Sequence, residues 1–502
     1  MTWPAFESLG LLVAVLILFY YYATSNYDFW EKRGVKGPRP IPCLGNYKDV
    51  FLGRASLSDI FVKAYYDYKD ESMVGIFGGR RPLLVLRDPN LMKDVLIKDF
   101  AVFANRSPCA AEVEPLSTHL FRLESEKWRP LRTRLSPIFS SGKLKEMFHL
   151  LLECSNHLVK YVDGLVGNGV EIVESHEIAA KYTTDVIGSC AFGIEMKALA
   201  AEDSEFRKIG RQIFETTWQS FLRDRLREYP LIFKLVGRFI VDHEVTEFLT
   251  NITIKTIEYR IKNNVQRNDF IDILVDLKQH PEKLGVDELT DHYLAAQAFV
   301  FFIAGFESSS VTISNSLFEL SLNPTVQEKL RAEVKGVLQK NNGEITYESV
   351  REMKYLDACV KETLRKYPVV LYLARRSVTN YTFSGTKVTV PKDQLVYLPI
   401  YAIQRDPDIY PEPEVYDPDR FLDENAKHRN PMYFLPFGDG PRNCIASRFA
   451  DYQTKVAVIR IMQYYKLDTC DKTPVPFVLS PKPLFLFKPV HGIYVKMSKL
   501  KE

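Results

Sequence analysis

The stretch that decides the fold of this chain is Phe437-Gly438-Asp439-Gly440-Pro441-Arg442-Asn443-Cys444-Ile445-Ala446. It places one cysteine in a loop rich in Gly and Pro, beside Arg442 and just before an apolar-periodic helix. Loop N–H groups, a neighbouring guanidinium and a helix N-terminus all favour a thiolate, so Cys444 is a candidate metal ligand. A lone cysteine in a turn is more often a structural thiol, and the rest of the chain has to decide between these interpretations.

Composition excludes several classes of protein. The 502 residues are 46% hydrophobic and 26% charged, which is typical of a globular protein with a sizeable core. The net charge of +3 gives no whole-chain signal for nucleic acid, and no nucleic-acid partner is expected. Seven cysteines without a C-x-x-C pair argue against a disulfide framework and a zinc cluster, and indicate a reducing compartment.

The N-terminus carries a membrane signal. The apolar run from Leu9 to Tyr22, extended to 8–25, has about the length that a bilayer-spanning helix needs. Only Glu7 is charged before it and three tyrosines end it, which favours a retained anchor over a cleaved signal peptide. Basic residues follow, so the positive-inside rule predicts a cytosolic C-terminal part; they are Lys32, Arg33, Lys36 and Arg39.

Three segments follow from these patterns: an anchor over 1–25, a linker with a proline-rich hinge over 26–45, and one domain over 46–502. A hairpin is predicted from Met73 to Leu86 around Gly78-Gly79. Helical periodicity dominates from there to about residue 365, and strand patterns return near 372–397 and 477–495. The prediction is a mainly α fold with minor β sheets, closed by pairing of distant strands.

Two helical patterns carry chemical hints. Trp128 and Arg132 are four residues apart and share a helix face, so both could serve one flat acidic ligand. A solvated basic helix is the alternative. The apolar pattern over 287–320 contains Gly305 and Ser308, which suggests that stability is given up for room and for proton-bearing groups. A glycine that merely permits close helix packing is the alternative there.

Together and in this order, the segments resemble the cytochrome P450 family of haem-thiolate monooxygenases. The opening stretch resembles its haem-binding loop, and Glu362-Thr363-Leu364-Arg365 matches its ExxR pair. Asp417-Pro418-Asp419-Arg420-Phe421 resembles its PERF segment, 304–308 its oxygen-binding groove, and Trp128-x-x-x-Arg132 its propionate-binding helix. The anchor, Phe306-Glu307-Ser308-Ser309 and the ending 488–495 are most similar to the microsomal insect detoxification group, family 6-like.

The resemblance implies a P450 fold behind one transmembrane helix, a haem-binding catalytic domain over 46–502, and a role for each motif residue. Cys444 would be the axial ligand of the haem iron. The other haem contacts would be Trp128, Arg132, Arg375, Phe437 and Arg442. A structural network would join Glu362, Arg365 and Arg420. The oxygen side would use Ala304, Gly305, Glu307 and Ser308. The substrate cavity would include Phe299, Phe302, Val369, Leu371 and Phe485.

Two positions depart from the family pattern. Ser308 stands where Thr is usual, which keeps the hydroxyl but removes the methyl that stiffens χ1, so looser proton delivery and lower coupling are expected. Ala446 stands where Gly is commoner and should have little effect.

The implied activity is insertion of one oxygen atom from O₂ into lipophilic small molecules, such as plant toxins or insecticides. The thiolate ligand favours this chemistry over reversible oxygen carriage. Electrons would come from NADPH through NADPH–cytochrome P450 reductase, with cytochrome b5 as a second partner, at the cytosolic face of the endoplasmic reticulum. A basic docking face is predicted from Arg129, Arg134, Lys143, Lys145, Arg448 and Lys455. The alternatives are a biosynthetic monooxygenase of a hormone, pheromone or fatty acid, and a non-catalytic haem sensor or carrier.

Overall fold

The protein is mainly helical, as the sequence predicts. A computed structural model describes residues 3–106, 113–167, 169–200, 204–214, 217–227, 230–422, 426–481, 486–487 and 489–500. Its helices are α1 Trp3–Thr24, α2 Lys48–Phe51, α3 Leu57–Asp67, α4 Pro89–Lys93, α5 Ser125–Leu135, α6 Ser141–Val166, α7 Ser175–Ile187, α8 Glu205–Phe214, α9 Trp218–Leu226, α10 Pro230–Val236, α11 His243–Asn263, α12 Phe270–Gln279, α13 Asp291–Leu322, α14 Pro324–Lys340, α15 Tyr347–Glu352, α16 Lys354–Lys366, α17 Ile400–Ile403 and α18 Ser447–Tyr464.

Three small sheets accompany the helices. The strands are β1 Met73–Gly78, β2 Arg81–Leu86, β3 Val170–Glu174, β4 Leu373–Arg376, β5 Tyr381–Thr382, β6 Thr389–Val390, β7 Leu395–Leu398, β8 Tyr465–Asp468 and β9 Tyr494–Lys499. They are ordered β1-β2-β7-β4, β3-β9-β8 and β5-β6. The predicted hairpin is β1–β2, and Leu84 of β2 pairs with Val396 of the parallel strand β7. The predicted pairing of distant strands is therefore confirmed.

The C-terminal strand prediction is wrong in its bounds. The structure has β9 at 494–499, and between 477 and 493 the described residues form only isolated bridges, such as Leu479 with Pro489. Prolines at 474, 476, 481, 483 and 489 remove the backbone donors that a continuous ladder needs. The edge strand β3 also interrupts the stretch that was predicted to be helical, because it pairs with β9.

Helix α13 lies at the centre of the largest hydrophobic core. Its first turn is capped by Thr290, whose side chain accepts from the N–H of Tyr293. Most of its residues from Leu294 to Ser321 are buried against α7, α11, α16 and α18. Its apolar surface therefore faces neighbouring helices on several sides.

Two helices bear on the membrane prediction. Among the described residues, α13 alone is long and apolar enough to cross a membrane, but 72% of its most apolar window is buried inside the protein, as in a core helix. The apolar part of α1 with described side chains is shorter, from Ser8 to Thr24, and its leucines and tyrosines are exposed. The predicted transmembrane anchor therefore stays a prediction.

Candidate active site

The Cys444 loop is held by contacts between backbones. Gly438 and Gly440 have φ of +68° and +74°, in the left-handed region that glycine tolerates. A Cβ on Gly440 would lie 1.9 Å from the carbonyl oxygen of Leu96. Side chains at these positions would push the loop off its support, so the two glycines set the path of the chain into Cys444.

Several groups around the Cys444 sulfur favour its anionic form. The Ala446 N–H donates a hydrogen bond to the Cys444 sulfur, and the positive charges of Arg132 and Arg106 favour a negative charge on it. Burial outweighs them and raises the pKa of the Cys444 thiol above its ordinary value. Arg132 also donates to the backbone carbonyl and side-chain oxygen of Asn443, both at 3.0 Å, which fixes the residue before Cys444.

Four arginines converge beside this loop: Arg106, Arg132, Arg375 and Arg442. Burial, together with repulsion by the neighbouring arginines, lowers the pKa of Arg375 to about 10 and that of Arg442 to about 9. The Nε atoms of both are buried without a hydrogen-bond partner. Buried cations are stabilised by anions, so this cluster suits acidic groups. The Arg442 guanidinium also lies 4.6 Å from the centre of the Trp128 ring.

The predicted Glu362–Arg365–Arg420 network is in contact. Arg365 donates from Nε and Nη2 to the two oxygens of Glu362, both at 2.7 Å, and neither side chain is exposed. Arg420 Nε lies 3.5 Å from Glu362. Arg365 also donates to the carbonyl oxygens of Gln404 and Pro413. Burial lowers the pKa of Arg365, but Glu362 more than offsets it, and the net pKa is raised. The network joins α16 to the segments before the Cys444 loop.

One large cavity, of about 1550 Å³, lies between the Cys444 loop and α13. The predicted site residues on its wall are Trp128, Phe299, Ala304, Gly305, Ser308, Val369, Arg132, Arg375, Phe437, Arg442 and Cys444. Ser308 Oγ donates to the carbonyl oxygen of Ala304, one turn earlier. A Cβ on Gly305 would lie 2.2 Å from Ile187 of α7, so this glycine permits the close packing of two helices.

Three predicted site residues lie elsewhere. Phe302 is not on the cavity wall and packs on Phe206 and Phe306, with ring centres 6.0 and 5.1 Å away. It lies two residues before Ala304, hence about 200° around the helix. Leu371 is buried in the core. Its neighbours Val370 and Tyr372 line the cavity, and the side chain between them points to the opposite side of the segment.

Glu307 is the third, and its carboxylate faces His176 of α7 instead of the cavity. Glu307 lies on the face of α13 that packs against α7. Phe485, the remaining predicted cavity residue, lies outside the described residues.

The cavity also has polar residues that the sequence did not single out, among them Arg106, Glu114 and His119. Arg227 of the segment after α9 donates to both oxygens of Glu114, at 2.5 and 2.8 Å. His119 is buried with its Nδ1 unpartnered, and its ring centre lies 6.0 Å from that of Phe299. These residues lie on segments without periodicity, where no sequence pattern separates a buried charge from a surface one.

Comparison with known proteins identifies the class. The family model for cytochrome P450 matches residues 35–496, so the chain belongs to the cytochrome P450 family. It is 37% identical to cytochrome P450 6k1 of Blattella germanica over 95% of this chain and 94% of that protein. It is 36% identical to cytochrome P450 6a2 of Drosophila melanogaster (99% and 100% covered) and 36% to cytochrome P450 6B1 of Papilio polyxenes (98% and 99%). The protein is a P450 monooxygenase with haem as its cofactor, similar to insect members of family 6.

The residues around the cavity fit this cofactor. A buried thiol with a raised pKa becomes a thiolate when a metal cation binds it. The unpartnered Nε atoms of Arg375 and Arg442 suit two propionate carboxylates, and the Trp128 indole N–H is a further donor. The cavity opens between this cluster and the small side chains of Ala304 and Ser308.

Proposed function

We propose that the protein oxidises lipophilic xenobiotics, such as plant toxins or insecticides, with electrons that NADPH–cytochrome P450 reductase supplies. The observation that carries this proposal is the cavity of about 1550 Å³, which lies between Cys444 and Ser308 and is lined by many apolar and aromatic side chains. Haem would fill the part of this cavity beside Cys444 and the arginines, and the remaining part, toward Phe299 and Val369, suits lipophilic substrates. The similarity to insect family 6 proteins agrees with the resemblance to the insect detoxification group, on which the xenobiotic role rests.

Each motif residue has a proposed part. Haem ligated by a thiolate supplies oxygen activation when it is bound. Cys444 would hold its iron through the sulfur, and Arg132 holds Asn443 so that the loop keeps its shape. Arg375, Arg442 and Trp128 bind the propionates. Ser308 holds a hydroxyl proton at the cavity wall, and the small residues beside it leave room for dioxygen.

The proposed reductase dock is the face around α5 and the start of α6 and α18. Arg129, Arg134 and Arg448 are exposed there, and their charge would attract an acidic partner. Lys143 and Lys145 pair with Glu146 and Glu348, at 2.7 and 2.5 Å. Lys455, by contrast, is buried between Asp357 and Asp451, so its assignment to this surface was wrong. Its position on α18 faces inward.

The dock is tested by reversing charge at Arg129 and Lys143 and measuring reductase-driven turnover at low salt. We expect a severalfold higher KM for reductase, since reversal adds repulsion, and a smaller loss at high salt because salt screens it. The control reverses the exposed Lys255 on α11. An unchanged KM for reductase in the double variant would show that the reductase does not bind at this face. Cytochrome b5 would compete for the same face.

The proposed location is the cytosolic face of the endoplasmic reticulum, with α1 as the anchor. In α1, Leu11, Leu18 and Tyr21 are each about 70% exposed. A second exposed apolar set follows α9, namely Leu231, Leu235 and Phe239. Both sets suit burial in lipid. Removal of residues 1–25 should release the protein from microsomes on alkaline extraction if α1 is the main anchor.

Reconstitution with reductase and a panel of lipophilic compounds tests the function as a whole. We expect a Soret shift of the reduced carbon monoxide complex that is typical of thiolate ligation, and several oxidised products. A single tight substrate would favour the biosynthetic alternative. A normal Soret shift without product from any compound would favour the sensor.

A further inference from the structure

Glu307 and His176 join the central helix to α7 behind the cavity wall. The His176 Nε2 lies 3.4 Å from Glu307 Oε1 and 3.3 Å from the hydroxyl oxygen of Ser310. Ser310 in turn donates to the backbone carbonyl of Glu307. The motif carboxylate is therefore placed against a titratable ring and away from the cavity.

The two side chains of the pair differ in their exposure. The His176 side chain is 27% exposed, whereas that of Glu307 is 10% exposed. The next residue, Ser308, lies on the cavity wall. A partly exposed imidazole therefore contacts a nearly buried carboxylate, one residue away from the cavity wall.

The charges around His176 come from three elements. Glu307 faces it from α13, Glu174 from the cap of its own helix, and Arg207 from α8. Arg207 is itself paired with Glu177 at 2.6 Å. The two carboxylates thus favour the protonated form of the His176 ring. The one guanidinium that opposes them is already paired.

We propose that His176 is a positioning residue for proton delivery, which takes protons from solvent and passes them to Glu307. The inference rests on the proposed function and on the role on the oxygen side that the family resemblance implies for Glu307 and Ser308. It adds a partner that none of the motifs contains and explains why Glu307 faces away from the cavity.

The step is a proton transfer alone. The His176 Nε2–H bond breaks, an O–H bond forms on Glu307, and the imidazole becomes neutral. Water reprotonates the ring from its exposed side. Successive residues lie about 100° apart around a helix, so the Glu307 carboxyl has to rotate about its side-chain torsions to carry the proton toward Ser308 and the cavity.

The pH dependence has a definite sign. Burial lowers the pKa of His176, but Glu307 and Glu174 outweigh it and raise the pKa above 6.5. Protons are available at His176 below the raised pKa and are lost as pH rises through it. The stability that the pair contributes follows the same course: it is fully present below pH 6.5 and lost as pH rises through the raised pKa.

The test variant is His176→Gln, which keeps a hydrogen bond to Glu307 but cannot titrate. With the full-length holoenzyme and reductase, product formed per NADPH should fall about twofold near pH 6.5, less than in a variant that lacks the Ser308 hydroxyl, since water can still reach Glu307 without the imidazole. The decline of product per NADPH with rising pH, which we expect for the wild-type protein, should also disappear in this variant. The control is His149→Gln, an exposed histidine whose ring contacts the carbonyl oxygen of Glu146. A variant that keeps the wild-type pH profile would overturn the proposal.

A second measurement needs no turnover. Imidazole resonances of the resting holoenzyme are titrated by NMR in the wild-type protein and in Glu307→Gln. We expect one histidine with a pKa above 6.5 that moves down in the variant, while the others stay unchanged. No such shift would contradict the contact even if His176→Gln failed to fold.

The outcomes also separate this inference from the proposed function. If the wild-type protein forms no product from any lipophilic compound, the proposed function fails, and the NMR titration still decides whether the pair exists. If the wild-type protein is active and His176→Gln keeps its coupling and pH profile, only the inference fails. A purely structural tie would lower the melting temperature and leave the pH dependence of coupling unchanged.

Discussion

The Cys444 side of the cavity and the α13 side differ in how tightly the fold constrains them. On the Cys444 side, Gly440 packs its backbone against the Leu96 carbonyl, and Glu362 and Arg365 form a fully buried bidentate pair. On the α13 side, Ser308 bonds only within its own helix, to Ala304, among the described contacts. The Cys444 loop is fixed by contacts between distant segments, whereas the position of Ser308 follows from the rotation of one helix.

The difference explains which predictions from sequence matched the observed geometry. Residues whose place depends on a tight backbone turn or a buried charge pair lie where their motifs suggested, such as Cys444 and Glu362. Residues whose place depends on helix rotation did not all do so, and Phe302 and Glu307 face other helices. Motif residues on the Cys444 side should therefore tolerate less change.

The largest effect is expected from Cys444→Ser. An alcohol is a far weaker acid than a thiol and does not supply the anionic sulfur, so the proposed iron ligand is lost. Reduced protein with carbon monoxide should lack the thiolate-type Soret shift, and product formation should stop. Cys359→Ser is the matched control, since that thiol is buried on α16 away from the cavity wall. Retained thiolate spectra in Cys444→Ser would assign the ligand to another residue.

Glu362→Gln should come next, through stability. It leaves Arg365 buried without its counter-ion, and breaking a buried pair costs about 3–5 kcal/mol. Chemical denaturation should show a lower free energy of unfolding, with poor haem retention. Glu414→Gln is the control, because that carboxylate is 65% exposed in its pair with Arg405. Equal effects of the two variants would mean that burial does not distinguish them.

Phe299→Ala and Phe302→Ala sharpen the assignment of the cavity wall. Removing the buried Phe302 ring should cost about 3 kcal/mol of stability and leave the product profile unchanged. Removing Phe299 should change which lipophilic compounds are oxidised, at a smaller cost in stability. Product profiles and melting temperatures of both variants check this. An altered profile in Phe302→Ala alone would reverse the assignment.

The smallest effect is expected at Ser308. Ser308→Ala removes the hydroxyl from the wall, so product per NADPH should fall severalfold and hydrogen peroxide release should rise. Ser308→Thr restores the hydroxyl with a stiffer χ1 and should raise coupling above the wild-type level. Unchanged coupling in Ser308→Ala would show that protons reach the cavity by another route. Stability should change by less than about 1 kcal/mol in either variant.

Much of the architecture could be read from local patterns. The hairpin around Gly78-Gly79, the helices that carry Trp128 and Glu362, and the pairing of distant strands were predicted correctly. The bounds of β9 were predicted wrongly, because the prolines between 474 and 489 interrupt the strand that the apolar pattern suggested. The arginine cluster was predicted without Arg106, since a loop arginine has no periodicity that reveals its burial.

The sequence by itself determined the family, the candidate iron ligand and the mainly helical fold, because tight turns, buried pairs and helix periodicity require particular residues at short spacings. Only the tertiary structure decided which face of α13 meets the cavity, that Glu307 contacts His176, and that four arginines converge in one cluster. These features join residues 100 or more positions apart, such as 176 with 307 and 106 with 375. Their contacts depend on how helices and loops rotate and pack, which no local spacing encodes.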